Sequence, residues 1–254
     1  MVDVKGRWAF VTGAARGIGF GAAAFLAKRG CNLIVQGRTK EHCAKITETA
    51  KSFGVEAIAV GAEFSDPCAV QAMLDEIDAL GVRVDIVLNN AGVQVAYRTD
   101  YLNTPVSDYT SSFLINTIAP MMITYHFLKK MKAAGFGRIV NTTSGICLEP
   151  EQAGYSASKA ALDKVTMDLA AGCEGTDVCI NLTDPGWCRT DLGGPGAPNA
   201  PESSLPGVVV GAFIDDKKSG RCFTAGSFHG MSLEEALAKI EEGYPKFTGT
   251  VKTV

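Results

Sequence analysis

Unbroken apolar runs alternate with amphipathic stretches along most of the 254-residue chain, and this alternation restricts the fold more than any other feature. Most of the apolar runs lack the polar–apolar alternation of a strand with one face in water. They are therefore typical of strands covered on both faces. Seven such strands are predicted: Arg7–Thr12, Asn32–Gln36, Glu56–Val60, Ile86–Leu88, Arg138–Thr142, Val178–Leu182 and Arg221–Thr224.

The stretches between these strands have helical periodicity. They predict helices over Gly19–Arg29, Thr39–Phe53, Pro67–Leu80, Ser107–Lys132 and Gly154–Gly172. Strands that alternate with helices form β-α-β units with right-handed crossovers, and such units build a parallel sheet with helices on both faces. We therefore expect an α/β fold with a doubly wound, parallel, seven-stranded sheet.

No linker divides the chain, so residues 1–254 are expected to form a single domain. The stretch 193–206 (GGPGAPNAPESSLP) is rich in Gly and Pro. A domain boundary is one interpretation of this stretch. A mobile flap is favoured, because the strand-like Arg221–Thr224 follows and the alternation is interrupted only once. We expect a lid at about residues 187–206.

The pattern changes again in a C-terminal extension at about residues 226–254. It contains one amphipathic segment, Ser232–Glu242. Ser232 is the expected N-cap, with Glu235 three residues on, as in a capping box.

Composition excludes several classes of function. A net charge of −3 offers no basic field for nucleic acid or an anionic membrane. No apolar run reaches the roughly 18 residues of a membrane-spanning helix, and the N-terminus lacks the basic and apolar regions of a secretory signal. Eight scattered cysteines without a C-x-x-C pair are best interpreted as reduced, and three scattered histidines predict no metal site. We expect a cytoplasmic protein.

A glycine-rich turn, TGAARGIG, directly follows the first predicted strand and opens a helix of small residues. Glycines there allow the backbone to approach a pyrophosphate, while the helix N-terminus supplies unpaired N–H groups. A purely structural turn is the alternative, but the placement between strand and helix favours phosphate binding. The predicted phosphate-binding residues are Gly13, Ala15, Arg16, Gly17, Ile18 and Gly19.

The glycine spacing resembles that of the short-chain dehydrogenase/reductase family, whose T-G-x-x-x-G-x-G signature is met at every fixed position. Other motifs of this family follow in the family's order across roughly residues 5–225. They are N-N-A-G at residues 89–92, Asn116 within a helix, Ser144 after the fifth strand, Y-x-x-x-K at residues 155–159, and Pro185-Gly186 with Thr190 after the sixth strand. The stretch P-G-W-x-x-T-D-x-G-G-P-x-A from Pro185 looks like the carbonyl-reductase-like branch. The resemblance implies a Rossmann fold and oxidoreductase chemistry with a nicotinamide cofactor.

Tyr155 and Lys159 are four residues apart, so they share one face of a helix. A free tyrosine has a pKa of about 10, but a neighbouring ammonium and the positive nicotinamide of an oxidised cofactor favour the phenolate. We therefore expect a lowered Tyr155 pKa. Ser144 is expected to hydrogen-bond the substrate oxygen. The resemblance implies that Asn116 holds a water linking Lys159 to solvent and that Lys159 also binds the nicotinamide ribose.

Each of these residues has a structural alternative when taken alone. A Tyr–Lys pair is common on amphipathic helices, a serine after a strand is often a turn residue, and a mid-helix asparagine can face water. Their order at the carboxyl ends of strands favours the catalytic set. The loop between Ser144 and Tyr155 is shorter than is usual for the family, which leaves Thr142 and Thr143 as alternatives for the catalytic hydroxyl. Cys147 lies in this loop, where a packing role is favoured.

The end of the second strand predicts the cofactor preference. An NAD enzyme places an acid there to hold the ribose 2′-hydroxyl, whereas this chain has Gln36-Gly37-Arg38-Thr39. The Arg38 guanidinium fits a 2′-phosphate instead, and Arg16 is the second basic position that NADP-preferring family members use. Either arginine alone is compatible with an ordinary surface position, but together they favour NADPH/NADP+.

The remaining predicted cofactor contacts lie after the third, fourth and sixth strands and on the catalytic helix. The threonine hydroxyl after the sixth strand is implied to contact the nicotinamide carboxamide, and Trp187 belongs either to this site or to the core. These contacts are Glu63, Phe64, Asn90, Ala91, Gly92, Tyr155, Lys159, Pro185, Gly186, Trp187 and Thr190.

Three mainly apolar segments, 93–97, 146–148 and 187–192, are the predicted walls of a substrate site. None carries the Arg or Lys cluster that a phosphorylated or CoA-linked substrate requires. We expect a small-molecule substrate, namely a hydrophobic ketone or aldehyde, for example a steroid- or polyphenol-like ring ketone. It would be reduced to the alcohol with NADPH, with Tyr155 as general acid.

Other functions remain open at this point. One is an NAD-dependent alcohol or hydroxysteroid dehydrogenase working in the oxidative direction, and another is a non-catalytic nucleotide sensor. A sugar-nucleotide epimerase shares Y-x-x-x-K but needs a larger C-terminal domain. The apolar surface of Ser107–Lys132 and Gly154–Gly172, with the resemblance, implies a homodimer or homotetramer, although carbonyl-reductase-like members include monomers.

Overall fold

Seven parallel strands form one sheet in the computed structural model, which describes residues 1–249. The strand order is β3-β2-β1-β4-β5-β6-β7, so it reverses between β1 and β4. In open α/β sheets a ligand crevice forms at such a reversal, outside the carboxyl ends of the strands. The strands are β1 Trp8–Val11, β2 Asn32–Gly37, β3 Ala57–Gly61, β4 Val84–Asn89, β5 Gly137–Thr142, β6 Val178–Asp184 and β7 Cys222–Thr224.

Helices cover both faces of the sheet, and two hydrophobic cores result. One core packs α1, α2, α7 and α8 against one face, and the other packs α3 and α5 against the opposite face, beside α6. The predicted doubly wound, seven-stranded, single-domain fold is therefore confirmed. The helices are α1 Gly17–Ala27, α2 Ala44–Ser52, α3 Pro67–Ala79, α4 Val106–Phe113, α5 Ala119–Ala134, α6 Ala153–Ala171, α7 Val210–Phe213 and α8 Leu233–Glu242.

The predicted helical segment Ser107–Lys132 is present, but its α-helical hydrogen bonding is interrupted. A π turn over Leu114–Ile118 separates α4 from α5. The turn accommodates one residue more than an α-helix would, and Asn116 within it is fully buried. Long-range bonds of the Asn116 side chain, described below, explain why this irregularity is kept.

The second predicted helix begins later than expected. Residues Glu41–Cys43 form a 3₁₀ turn, and α2 starts only at Ala44. The Thr39 backbone N–H lies 3.2 Å from His42 Nδ1. This turn therefore satisfies a backbone donor that a longer helix would otherwise have to cap.

The C-terminal extension contains the amphipathic helix predicted there. Ser232 and Glu235 form the expected capping box at the start of α8. The helix buries Leu233, Ala236, Leu237 and Ile240 against the core that contains α1 and α7. Residues 250–254 of the predicted extension lie outside the described residues.

Among residues 1–249, no helix has the length and apolar character required to cross a membrane. The eight cysteines are all free.

Candidate active site

The glycine turn after β1 has no room for side chains on its inner face. Gly13 and Gly17 have φ angles of 62° and 56°, which favour glycine. A Cβ on Gly13 would lie 2.9 Å from Ala91 Cα, and one on Gly19 would lie 2.2 Å from the Gly13 carbonyl oxygen. The backbone therefore folds tightly back against the residues that follow β4.

The start of α1 fits an anion. Arg16 is the N-cap residue in an extended conformation, and no side chain among residues 1–249 caps the first turn. The first turn contains no acidic residue, while Ala15 and Ile18 are half-buried against the core. Uncapped N–H groups at a helix N-terminus attract a phosphate through hydrogen bonds and the helix dipole.

The N-N-A-G residues hold the turn in place. The Thr12 hydroxyl oxygen accepts hydrogen bonds from the backbone N–H groups of Asn90 and Ala91, both at 3.0 Å. The Asn90 amide in turn donates to the carbonyl oxygens of Thr12 at 3.2 Å and Gly13 at 3.4 Å. The motif thus ties the carboxyl ends of β1 and β4 together at the point where the strand order reverses.

One residue that sequence reasoning missed supports the same turn. Gln36, at the end of β2, is buried. Its side-chain oxygen accepts from the Gly13 N–H at 3.0 Å, and its amide nitrogen donates to the carbonyls of Gly37 and Ala62. A polar residue inside an otherwise apolar strand was the available signal, because buried polar groups require partners.

Tyr155 and Lys159 lie together on α6 beneath the carboxyl edge of the sheet. They are only 7% and 4% exposed, and the Lys159 Nζ lies 6.0 Å from the centroid of the Tyr155 ring. The Lys159 ammonium donates to the Thr142 carbonyl oxygen at 2.7 Å. A Cβ on Gly92 would lie 3.5 Å from the Lys159 Nζ. Helix α6 is therefore in contact with the residues that follow β4 and with the end of β5.

Among the described residues, Ser144 is the one candidate hydroxyl after β5 that interacts with the Tyr155 side chain and lowers its pKa. The Ser144 oxygen also accepts from the Ile146 N–H at 3.2 Å. Thr142 instead offers its backbone carbonyl to Lys159, and the Thr143 hydroxyl is buried. The short loop before Tyr155 thus still brings Ser144 to the tyrosine.

Asn116 is engaged by protein groups rather than facing solvent. Its side-chain oxygen accepts from the Val93 N–H at 2.8 Å, and its nitrogen donates to the Val93 carbonyl at 2.8 Å. The same nitrogen lies 3.0 Å from the Ser158 hydroxyl. The alternative in which this asparagine simply faces water was wrong. The side chain instead links the loop after β4 to α6, next to Lys159.

The electrostatics of the pair differ from the expectation. Burial raises the pKa of Tyr155 to about 12; the hydrogen bond from Ser144 opposes this rise, and the negative charge of Asp184 adds to it. The predicted lowering of the Tyr155 pKa was thus wrong for the protein without cofactor, because desolvation dominates. Burial also lowers the pKa of Lys159 to about 8, although Asp163 and Asp184 favour its charged form.

The two arginines predicted to meet a 2′-phosphate have different surroundings. Arg38 follows β2 and is exposed, with no hydrogen bond or ion pair to its guanidinium from the described part of the chain. Arg16 is also exposed, but its Nη1 lies 2.5 Å from an Asp191 carboxylate oxygen. Near the predicted adenine position, Phe64 is buried and Glu63 accepts from the Ser65 N–H.

Hydrogen bonds within the segment after β6 stabilise its conformation. It leaves the sheet through Pro185 and Gly186, where the Asp184 carboxylate accepts from the Gly186 N–H at 2.9 Å. Trp187 is 60% exposed, so the alternative that placed it in the core was wrong, and its Nε1 donates to the Gly193 carbonyl at 2.7 Å. The Gly193 N–H donates to the Thr190 hydroxyl at 3.1 Å.

Large apolar side chains are exposed on the loops that leave the carboxyl edge of the sheet. The three predicted wall segments hold four of them, one after β4, one after β5 and two after β6. They are Tyr97, Leu148, Trp187 and Leu192. Across residues 1–249, no group of three or more His, Cys, Asp or Glu side chains is placed to hold a metal ion.

Comparisons with known proteins agree with this architecture. The model of the family described as short chain dehydrogenase matches residues 7–199. The chain is 31% identical over 204 residues, 75% of this chain and 76% of the relative, to an NADPH-dependent aldehyde reductase-like protein, chloroplastic, of Arabidopsis thaliana. It is 33% identical over 194 residues, 74% of this chain and 72% of the relative, to versicolorin reductase 1 of Aspergillus parasiticus.

Solved structures show the same likeness. A crystal structure of a putative NAD(P) dependent gluconate 5-dehydrogenase from Beutenbergia cavernae, with bound NADP at low occupancy, has a TM-score of 0.78 at 26% identity. The match covers 88% of this chain and 96% of that one.

Proposed function

This chain belongs to the short-chain dehydrogenase family, and we propose that it reduces a carbonyl compound to an alcohol with NADPH, with Tyr155 as the proton donor. The observation that carries the proposal is the arrangement of the half-buried Ser144 with the buried Tyr155 and Lys159 at the carboxyl edge of the sheet. Family order alone places these residues near one another. Their hydrogen bonding and burial give them the means to hold a carbonyl oxygen and protonate it.

The protonation state of Tyr155 supports its proposed role as the acid. With a pKa of about 12, the phenol stays protonated at neutral pH and is available as an acid. The alkoxide formed by reduction is a far stronger base than a phenolate, so transfer of the proton from Tyr155 is favourable.

Ser144 and Lys159 would both assist that proton transfer, Ser144 at the substrate oxygen and Lys159 at Tyr155. The Ser144 hydroxyl lies next to the Tyr155 oxygen, so both can bind one substrate oxygen and fix its position. The Lys159 ammonium stabilises the negative charge that Tyr155 acquires as it gives up its proton. Asn116 supports this arrangement by bonding to Val93 and to Ser158 of α6, the helix that carries Tyr155 and Lys159.

The residues present fit a nicotinamide dinucleotide. The side-chain-free turn at Gly13 and Gly19, together with the uncapped start of α1, forms a cradle for a pyrophosphate. When bound in its reduced form, such a cofactor supplies the hydride. Thr190 and Lys159 would hold its nicotinamide end.

Two basic residues support a preference for the phosphorylated cofactor. Arg38 follows β2 and Arg16 precedes the second glycine of the turn, and the chain has no acid at the end of β2. One relative is named as NADPH-dependent, and one similar structure contains NADP. A guanidinium pairs well with a phosphate dianion.

The substrate is proposed to be a hydrophobic ketone or aldehyde. The exposed side chains of Tyr97, Leu148, Trp187 and Leu192 would give such a molecule apolar contacts. We propose further that the protein forms a homodimer or homotetramer, since Ile118 and Tyr125 are exposed on the π turn and α5. Light scattering coupled to size-exclusion chromatography measures that state.

The proposed reaction is tested with a Tyr155→Phe variant and a panel of ketones and aldehydes screened by NADPH consumption. The variant keeps the buried ring and loses only the hydroxyl. Its rate should fall by about 100- to 10,000-fold, while its Kd for NADPH stays within twofold of the parent protein. Ser156→Ala on the same helix is the matched control for removal of a hydroxyl. Undiminished turnover of the Tyr155→Phe variant would refute Tyr155 as the acid. Turnover with NADH equal to that with NADPH would refute the cofactor preference.

A further inference from the structure

The arginine of the glycine turn is joined to the segment after β6 by an ion pair. Arg16 Nη1 and Asp191 Oδ2 are 2.5 Å apart, and both side chains are about 70% exposed. No other hydrogen bond or ion pair engages the Arg16 guanidinium within residues 1–249. The one basic side chain of the glycine turn, Arg16, is therefore already paired with a carboxylate.

A second contact joins the same two segments. A Cβ on Gly17 would lie 3.2 Å from the Thr190 methyl carbon, so Thr190 lies directly against the turn. Arg189 does not compete for Asp191, because its guanidinium donates to the carbonyls of Ala197 and Pro198. Asp191 thus faces the turn with Arg16 as its cationic partner.

The segment that carries Asp191 is held as a unit. Asn199 Nδ2 donates to the Trp187 carbonyl at 3.0 Å, and the Arg189 N–H donates to the Asn199 carbonyl at 2.8 Å. A Cβ on Gly193 would lie 2.1 Å from the Cys188 carbonyl oxygen, so the loop closes without space for a side chain. The Arg16–Asp191 ion pair therefore joins the glycine turn to a loop whose conformation is fixed by its own hydrogen bonds.

We propose that Asp191 and the 2′-phosphate of the cofactor compete for Arg16, which makes Asp191 a determinant of cofactor discrimination. The proposal rests on the proposed function in taking Arg16 as a phosphate ligand. A carboxylate in contact with the guanidinium occupies a donor at Nη1 and repels a phosphate dianion. The phosphorylated cofactor must displace Asp191 to gain Arg16, whereas the unphosphorylated cofactor leaves the ion pair intact.

Because the Arg16–Asp191 ion pair is exposed, removing it should change the Kd of the cofactor only modestly. Exposed ion pairs contribute little, and breaking one weakens a binding equilibrium by no more than about fivefold. Replacing Asp191 by Asn keeps the shape and removes the charge. The Kd for NADP+ and for 2′,5′-ADP should then fall by roughly two- to fivefold, and the Kd for NAD+ should stay unchanged. The gain should shrink as salt is raised, because the competing charges are solvent-exposed.

The test is isothermal titration calorimetry of the intact protein with NADP+, 2′,5′-ADP and NAD+. Four forms are compared: the parent protein, Asp191→Asn, Arg16→Ala and the double variant. If Asp191 acts through Arg16, Asp191→Asn tightens NADP+ binding in the parent background and has no effect in the Arg16→Ala background. Asp168→Asn is the matched control, because Asp168 is an exposed acid paired with Lys164 on α6. It changes the net charge equally, and its Kd values should equal those of the parent.

Three results overturn the proposal. One is an equal change for NAD+ and NADP+, which indicates a general effect of the loop. Another is a gain that persists without Arg16, which indicates long-range repulsion. The third is no gain at all. If Arg16→Ala weakens NADP+ selectively while Asp191→Asn changes nothing, only this inference fails. If Arg16→Ala leaves NADP+ binding unchanged, or if neither cofactor binds, the proposed function fails as well.

Discussion

Lys159 is an ionisable residue in a buried position, and the desolvation of its ammonium should make the free energy of unfolding depend on pH. The side chain is 4% exposed, and burial lowers its pKa from 10.5 to about 8. The unfolded chain therefore keeps the proton up to about pH 10.5, whereas the folded protein releases it near pH 8. Between these values the unfolded state binds more protons, so the free energy of unfolding rises with pH.

The magnitude follows from the two pKa values. Each pH unit in the interval between 8 and 10.5 contributes about 1.4 kcal/mol. Integrated from pH 7 to pH 10, the Lys159 contribution to the free energy of unfolding increases by about 2–3 kcal/mol. A Lys159→Met variant lacks the titrating group. The stability of the parent relative to this variant should therefore increase by that amount over the same range.

The measurement is urea denaturation of both proteins without cofactor at pH 7, 8, 9 and 10, followed by circular dichroism. Buried cysteines such as Cys31, whose pKa burial raises to about 12, lower the stability of both proteins above pH 9, and this effect cancels in the difference. The lost hydrogen bond to Thr142 adds only a constant offset. Lys164→Met, at an exposed site on the same helix, reports what loss of a lysine from α6 does in itself. A difference between parent and Lys159→Met that stays flat or falls with pH would refute the reasoning.

Two further predictions concern the turn and the charge beside the tyrosine. Gly19→Ala places a Cβ 2.2 Å from the Gly13 carbonyl oxygen. It should lower the free energy of unfolding in urea by about 1–3 kcal/mol and abolish cofactor binding. The control Gly21→Ala, on the same helix, meets only an ordinary contact at 3.6 Å and should be neutral or stabilising, so equal losses for both variants would contradict the steric account. Asp184→Asn removes a charge that raises the Tyr155 pKa, so the tyrosinate absorbance assigned to Tyr155 should appear at lower pH than in the parent, and an unshifted titration would contradict this role for Asp184.

The strands were predictable because the sheet is covered on both faces, which leaves unbroken apolar runs in the sequence. The strand ends were less predictable where a polar residue is buried by a specific partner. β4 starts at Val84, earlier than predicted, because the buried Asp85 pairs with Arg7 at 3.2 Å and Arg83 at 2.7 Å. A carboxylate in a strand suggests exposure until its distant partner is known.

The identities of the candidate site residues could be inferred from their order, since parallel strands bring their carboxyl ends to one edge. Their electrostatics could not. The direction of the Tyr155 pKa depends on how deeply α6 is buried and on Asp184, which is far away in sequence. The engagement of Arg16 by Asp191 is likewise a tertiary fact, because the segment after β6 must first fold back onto the glycine turn.

The π turn between α4 and α5 makes the position of Asn116 sensitive to deletion. An α-helix turns by about 100° per residue, and the π turn absorbs one extra residue without changing how α4 and α5 face the rest of the protein. Removing one residue from Leu114–Ile118 would therefore restore regular α-helical hydrogen bonding and leave Ile123 and Phe127 of α5 in the core. Asn116 lies inside the turn, so the deletion would take its side chain away from Val93 and Ser158. A chain one residue shorter here would keep the packing of α5 and lose the support that Asn116 gives to α6.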